Sequence, residues 1–237
     1  MLLDDVAAIR SSLSNEAIDP VQIGVLCESS GAHGLACTYN GSDAGISERD
    51  LRILREVRKT FLNVRIPVDP EVLRLALSVA PDMVTFVDAK PSSPRDIRPI
   101  DPTIHAEQIG HMLPDLQAND IPVALSIQPE INILKSISRL PIDYVEFDAT
   151  AFTGASDINE EIIALDKIKS AAVAASKLGL GVNCCGGITF SHIPALLKVP
   201  NLEDVVVGGQ FIQRALVSGI DRAIREALNL IRHREIE

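Results

Sequence analysis

The sequence predicts an α/β protein of the (β/α)8 TIM-barrel class, with a single domain over residues 1–237. Short apolar runs alternate with helical patterns along the whole chain, which is typical of a parallel sheet with helical crossovers. The length of 237 residues suits one such barrel. Two glycine pairs, Gly186-Gly187 and Gly208-Gly209, follow the last two apolar runs. Loops at these positions commonly bind phosphate in barrels, so the pairs indicate both a fold and a ligand class.

Eight short apolar runs are predicted to be strands, at residues 1–3, 35–38, 64–66, 83–87, 123–127, 144–147, 180–184 and 204–207. An open doubly wound sheet would have the same alternation. That alternative lacks support, because no G-x-G-x-x-G motif follows the first strand and the phosphate signals come last. The closed barrel is therefore the favoured architecture.

Ordinary boundary signals mark the early helices. Asp19-Pro20 predicts the start of the first helix and Gly31 its end. Ser47 and Asp50 have the spacing of a capping box, which predicts the start of the second helix.

A long helix is predicted in the second half of the chain. Asp157 and Glu160 indicate its start, and it continues to about Lys177 before Gly179 ends it. Residues 89–103 contain four prolines and are predicted to form an extended, irregular loop after the fourth strand.

The composition limits the possible partners. Hydrophobic residues make up 46% of the chain and Trp is absent, which predicts an aliphatic core. The net charge of −10, with no basic stripe, argues against nucleic-acid and membrane-surface partners. The four cysteines lack metal-ligand spacing, and the sequence shows no signal peptide, spanning run or lipidation motif. We therefore expect a cytoplasmic protein, or one from an organelle if a targeting segment is missing here.

Functional side chains of a barrel lie at the C-terminal ends of its strands. The polar residues predicted there include Arg65, Asn183 and four carboxylates, and none of the five histidines is among them. The carboxylates suggest a divalent-metal site, whereas the absence of histidine and the charge of Arg65 favour a solvated acidic rim and no metal. The four carboxylates are Asp4, Asp88, Glu146 and Asp148.

The glycine pairs have two interpretations. Bare backbone N–H groups beside a helix N-terminus form a cradle for phosphate. Glycines also simply permit tight turns between strand and helix. The sequence leaves both interpretations open.

Several segments resemble the pyridoxine 5′-phosphate synthase family, with nearly constant spacing from the first strand to the last helix. They are DDVAAIR at 4–10, DPVQ at 19–22, ISERDLRILR at 46–55, VEF at 145–147, ASKLGLGVN at 175–183 and RA at 214–215. The resemblance implies a (β/α)8 barrel, usually octameric, with no metal or organic cofactor. It also implies condensation of 1-deoxy-D-xylulose 5-phosphate with 3-amino-2-oxopropyl phosphate to form pyridoxine 5′-phosphate.

Most of the family's functional positions are substituted in this chain. The resemblance places the acid/base histidine at Thr38, the glutamate base at Arg65 and the proton-donor histidine at Gly186. The positions that would hold the two substrates' phosphate and amino-ketone groups are Asn40, Gly45, Leu2, Leu13 and, in place of a histidine, Gly209. The retained positions are Asp4, the transition-state-stabilising Glu146 and the phosphate-cradle glycines Gly187 and Gly208.

Three functions remain open from the sequence. Thr38 cannot relay protons near neutral pH and Arg65 reverses the charge of a base, so we expect the family's condensation to be lost. The first reading is a catalytically silent barrel that regulates or scaffolds a protein partner, forms a homo-oligomer and binds a phosphorylated small molecule weakly. The second is an enzyme with a diverged substrate that uses Glu146 and Asp4. The third is residual pyridoxine 5′-phosphate synthesis.

Overall fold

The computed structural model describes residues 1–13 and 18–232, without the side chains of residues 94 and 95. Its strands, in chain order, are β1 (Gly34–Thr38), β2 (Phe61–Ile66), β3 (Met83–Phe86), β4 (Asp88–Lys90), β5 (Ser93–Arg98), β6 (Val123–Ile127), β7 (Tyr144–Asp148), β8 (Gly181–Cys185) and β9 (Leu202–Val205). Its helices are α1 (Asp4–Leu13), α2 (Pro20–Ser29), α3 (Glu48–Val57), α4 (Pro70–Val79), α5 (Pro102–Gln117), α6 (Ile131–Ile137), α7 (Thr150–Thr153), α8 (Ile158–Lys177), α9 (Ile193–Leu196), α10 (Gly209–Ser218) and α11 (Ile220–Arg232).

The main sheet closes into a barrel through the N-terminal residues. Seven parallel strands pair in the order β1-β2-β3-β6-β7-β8-β9. The Leu2 amide donates to the Val207 carbonyl over 2.7 Å, which joins the N-terminal segment to the end of β9. On the other side, the Ala36 amide donates to the Met1 carbonyl over 2.8 Å. Residues 1–3 therefore act as the eighth barrel strand, and the predicted barrel class is confirmed.

Alternation along the strands separates the apolar core from a polar barrel interior. On β2, the buried Leu62, Val64 and Ile66 belong to the aliphatic core. Between them, Asn63 and Arg65 are buried polar residues that bond to side chains of other barrel strands. Because successive side chains of a strand point to opposite faces, β2 presents one face to the helices and the other to the barrel axis.

The predicted helix boundaries are confirmed. Asp19 accepts a hydrogen bond from the Val21 amide at the start of α2, and the Ser47 and Asp50 capping box is complete. Asp157 accepts from the Glu160 amide at the start of α8. The carboxylates and hydroxyl satisfy N–H groups that lack partners within the helix.

Two predictions about the first half of the chain were wrong. The first helix was predicted to start at Asp19-Pro20, but an earlier helix, α1, begins at Asp4. No Gly or Pro separates it from the first strand. Residues 89–103 are not an irregular loop, because β4 and β5 form an antiparallel hairpin in which Asp88 pairs with Arg98. The prolines suit these places: Pro91 lies in the turn, and Pro102 is the first residue of α5, where its missing N–H costs nothing.

Helix α8 is the longest in the structure, with 20 residues. It buries mostly small side chains such as Ala171 and Ala175, while charged residues lie along its other faces. Over residues 1–13 and 18–232, no helix combines the length and the apolar character needed to cross a membrane.

Candidate functional site

A cavity of about 410 Å³ lies at the C-terminal ends of the barrel strands. We call it the mouth cavity. Its wall includes Asp4 after the first strand, Arg65 near the end of β2, and both predicted glycine pairs. The β4–β5 hairpin adds Ile97 and Arg98 to one side. The fold therefore brings most of the predicted site residues to one end of the barrel.

Arg65 and Glu146 form a buried ion pair beneath the mouth cavity. Arg65 Nη2 donates to Glu146 Oε1 over 2.7 Å, and the two side chains are 5% and 1% exposed. Burial alone would lower the pKa of Arg65, but the Glu146 carboxylate raises that pKa above its usual value. Arg65 Nε and Glu146 Oε2 are buried without a hydrogen-bond partner. The pair therefore holds both charges inside the barrel, with the glutamate already occupied by a cation.

Asp4 and Thr38 form a second fixed contact at the edge of this site. The Thr38 amide donates to Asp4 Oδ1 over 2.7 Å, and the Thr38 hydroxyl donates to Asp4 Oδ2 over 2.6 Å. Burial raises the pKa of Asp4, and this outweighs the lowering effects of the Arg65 charge and the Thr38 hydrogen bonds. The Thr38 hydroxyl is thus committed to Asp4 and does not replace a proton-transferring histidine.

Stability should depend on the ionisation of Asp4. The pKa of Asp4 in the folded protein is raised above the usual 3.8. The contribution of Asp4 to the free energy of unfolding is therefore full below pH 3.8 and is lost as the pH rises through the folded pKa. In an Asp4→Asn variant this pH dependence of the free energy of unfolding should vanish. The altered Thr38 contact should change the free energy only by an amount that does not vary with pH. Urea unfolding of both proteins from about pH 4 to about pH 7 should show the wild type losing stability relative to the variant. A difference between the two that stays constant across this range would contradict the assignment.

The first glycine pair adopts a backbone that other residues rarely take. Gly186 and Gly187 have φ values of +109° and +61°. A Cβ atom on Gly186 would lie 2.6 Å from Asp148 Oδ1, and one on Gly187 would lie 2.6 Å from Thr153 Oγ1. The tight turn is therefore a sufficient reason for both glycines. The phosphate-cradle interpretation has no helix N-terminus directly after this pair, because α9 begins only at Ile193.

The second pair does lie at a helix N-terminus. Gly208 is the N-cap of α10 without a side-chain hydrogen bond, and Gly209 is the first residue of the helix. The Asp5 carboxylate lies against this end: a Cβ on Gly209 would be 2.9 Å from Asp5 Oδ2. Sequence reasoning missed Asp5, although the Asp4-Asp5 doublet after the first strand was a visible signal. An anion that approaches these amides meets a carboxylate of the chain itself.

The four predicted carboxylates do not assemble into one cluster. Asp4 and Asp148 line the mouth cavity, whereas Glu146 is paired with Arg65 and Asp88 belongs to the hairpin. Asp148 accepts hydrogen bonds from Gln128 Nε2 and Thr150 Oγ1 over 2.9 and 2.6 Å. Within the part of the chain that the structure describes, no group of three or more His, Cys, Asp or Glu side chains is placed to hold a metal ion.

Other polar residues differ from their predicted places. Asn183, predicted at the barrel mouth, lies in the middle of β8 in register with Glu146, and it lines a different cavity that opens toward the other end of the strands. Cys185 lines the mouth cavity instead, and burial raises the pKa of its thiol to about 12, so the thiol stays protonated near neutral pH. None of the four histidines that the structure describes lines the mouth cavity, and His233 lies outside the described residues.

A closed parallel barrel with a polar cavity at the C-terminal ends of its strands has the architecture of the (β/α)8 enzymes. The family model described as "Pyridoxal phosphate biosynthesis protein PdxJ" matches residues 1–233, and the chain belongs to this family. A protein named Pyridoxine 5'-phosphate synthase from Geotalea daltonii is 34% identical over 98% of this chain and 97% of its own length. One of the same name from Geobacter metallireducens is 33% identical with the same coverage.

Solved structures support the fold alone. The phosphoribosyl anthranilate isomerase from Thermus thermophilus superposes with a TM-score of 0.54 at 16% identity, over 90% of this chain and 94% of that one. At this identity the similarity carries the barrel architecture and no activity.

The remaining substituted positions are also accounted for by the structure. Leu2 lines the mouth cavity and Leu13, at the end of α1, is 62% exposed. Asn40 Nδ2 donates to the Lys90 carbonyl, and the Gly45 carbonyl accepts from Arg10. These positions are engaged in ordinary structural contacts or carry aliphatic side chains.

Proposed function

We propose that this PdxJ-family barrel has lost the condensation that its relatives are named for and acts as a non-catalytic regulatory or scaffold protein. The buried Arg65–Glu146 ion pair carries this proposal. The glutamate that the resemblance assigns to transition-state stabilisation already has a cationic partner 2.7 Å away. A carboxylate held in this way has little remaining capacity to respond to charge that develops on a substrate.

The proton-transfer positions support the same conclusion. Thr38 donates its hydroxyl to Asp4, Arg65 cannot accept a proton, and Gly186 has no side chain. Each general acid or base contributes roughly 10²–10⁴ in rate, so the loss of three removes most of the chemistry.

Genetic complementation tests this proposal. The gene, expressed in a bacterial strain that lacks its pyridoxine 5′-phosphate synthase, should fail to restore growth without added vitamin B6. Immunodetection of the soluble protein must accompany the assay, so that failure to express is not taken for failure to catalyse. Growth comparable to that with an authentic synthase would overturn the proposal.

We also propose that the mouth cavity keeps a weak affinity for phosphate or a small phosphate ester. The amides around Gly187 and Gly208 support this, because both glycines line the same cavity and Gly208 precedes the N-terminus of α10. Asp5 limits the affinity, since its carboxylate lies against Gly209. The net affinity reflects the competition between the helix dipole and this carboxylate.

Two substitutions test the anion site in opposite directions. A Gly208→Val side chain extends from a Cβ position 3.3 Å from Asp5 Oδ2 and 3.4 Å from Leu2 Cδ2, so it should abolish binding by blocking approach. Asp5→Asn removes the competing charge and should strengthen binding by about fivefold to fiftyfold. Calorimetric titration with glycerol phosphate measures both. Equal affinity in all three proteins would mean that the glycines serve only the turn and the helix start.

A second candidate function is an enzyme with a diverged substrate that uses Asp4 and Glu146. One observation favours it: a carboxyl group with a raised pKa lines a cavity of about 410 Å³. Perturbed carboxyl groups in clefts are candidates for general acids. Turnover of any small phosphate ester that disappears in Asp4→Asn would favour this candidate over the non-catalytic one.

Self-association is part of the proposal. Leu216 and Val217, on α10, are 77% and 85% exposed and adjacent in sequence. Exposed apolar neighbours of this kind support contact with another protein surface, which we assign to a second copy of the chain.

A further inference from the structure

A second cavity, of about 230 Å³, lies at the opposite end of the barrel from the mouth. We call it the lower cavity. Gly34, Phe61 and Met83, at or next to the starts of β1, β2 and β3, contribute to its wall. Its outer side is formed by helices α10 and α11, through residues such as Phe211 and Ala227. The lower cavity is therefore distinct from the mouth cavity that the proposed function uses, although Val206 contributes to the walls of both.

The wall of the lower cavity is mostly aliphatic and aromatic. Leu197, Phe211, Ile224 and Leu228 contribute apolar surface from the helix layer. A smaller, enclosed apolar cavity of roughly 150 Å³ in another protein binds benzene. The lower cavity is partly open to solvent, since Phe61 in its wall is 39% exposed. A volume of about 230 Å³ accommodates a single substituted ring.

Asn183 provides a polar group in this apolar wall. Its side chain is 3% exposed, and Oδ1 is buried without a hydrogen-bond partner. Buried amide oxygens in folded proteins nearly always have a partner, and leaving one unpaired costs free energy. By contrast, the buried amide oxygen of Asn63, which lines the same cavity, accepts from the Thr85 hydroxyl over 2.9 Å. Asn183 thus has an unused acceptor at the cavity that it lines.

Charge at the cavity selects the class of ligand further. Glu203 and Asp204 also line it, on β9 next to β8. Both carboxylates are exposed, and their negative charge at the cavity disfavours an anionic ligand. We propose that the lower cavity binds a small neutral molecule with an apolar ring and one hydroxyl group, which donates a hydrogen bond to Asn183 Oδ1.

The probes for this site are p-cresol and p-xylene, which differ only in a hydroxyl in place of a methyl group. Titration of the whole protein, followed by calorimetry and by methyl NMR shifts, should show p-cresol binding with shifts confined to the wall of the lower cavity. In Asn183→Leu the preference for p-cresol over p-xylene should fall about tenfold, as expected for one lost hydrogen bond. Asn183→Ala provides a second variant if the leucine disturbs packing.

A substitution that fills the lower cavity tests whether the probes bind there. Ala227→Phe places a ring in the cavity from α11 and should abolish binding of both probes, while Ile104→Phe, at a position on α5 that is 73% exposed, should leave binding unchanged. Thermal unfolding verifies that each variant is folded. Absence of p-cresol binding in the wild type, shifts centred on the mouth cavity, or an unchanged preference in both Asn183 variants would each overturn the inference. Asp5→Asn, which changes the anion affinity of the mouth cavity, should not alter p-cresol binding, and this separates the result from the fate of the proposed function.

Discussion

Replacing Glu146 by glutamine should lower the free energy of unfolding by about 3–5 kcal/mol. Glutamine has nearly the same shape, so packing is retained while the charge that balances Arg65 is lost. The guanidinium would remain buried, 5% exposed, without a carboxylate at 2.7 Å. Chemical denaturation at neutral pH measures this loss directly.

Two control variants distinguish the loss of the buried ion pair from the loss of any carboxylate. Glu107→Gln removes a carboxylate that is 91% exposed and 4.0 Å from His111, so it should change stability by less than about 0.5 kcal/mol. The double variant Arg65→Met, Glu146→Leu removes both charges and should recover most of the stability that Glu146→Gln loses. If Glu146→Gln were as stable as the wild type, the pair would not hold the barrel interior as described.

Purified protein supplied with 1-deoxy-D-xylulose 5-phosphate and 3-amino-2-oxopropyl phosphate should form no detectable pyridoxine 5′-phosphate. Removing three proton-transferring groups, each contributing roughly 10²–10⁴ in rate, predicts a loss of at least about 10⁴-fold even if their effects overlap. Chromatographic detection of product, with an authentic synthase as the positive control, measures this. A rate within about tenfold of the control, a barrier difference of only ~1.4 kcal/mol, would refute the loss of function.

Restoring the three family side chains should not restore activity. In Gly186→His the new Cβ would lie 2.6 Å from Asp148 Oδ1, on a backbone with φ of +109°. Arg65→Glu would place a second carboxylate beside the buried Glu146. Leu2 and Leu13 would still lack the polar groups that the family uses for the amino-ketone phosphate. Activity in the triple variant Thr38→His, Arg65→Glu, Gly186→His would show that the loss depends on proton transfer alone.

Local patterns were sufficient to predict much of the architecture. The eight apolar runs, the Ser47–Asp50 capping box and the Asp157 N-cap are each decided by residues close in sequence. The β4–β5 hairpin was missed because prolines in edge strands and turns resemble those of an irregular loop. Helix α1 was missed because no breaker separates it from the first strand.

The candidate site was predicted in part. The resemblance and the strand-end rule identified Asp4, Arg65, Glu146 and both glycine pairs, and the structure places them at or just beneath one end of the barrel. Asn183 was expected to line the mouth but lines the lower cavity, because position within a strand does not by itself show which cavity a side chain lines.

By itself, the sequence determined the barrel class, the family and the substitution of the family's proton-transfer positions. These depend on residue types and on short-range periodicity. Only the tertiary structure decided that Arg65 pairs with Glu146, 81 positions away, and that Asp5 lies against the start of α10. Contacts of this kind depend on how the strands close around the barrel axis, because closure sets which side chains from distant segments meet in a volume with little water.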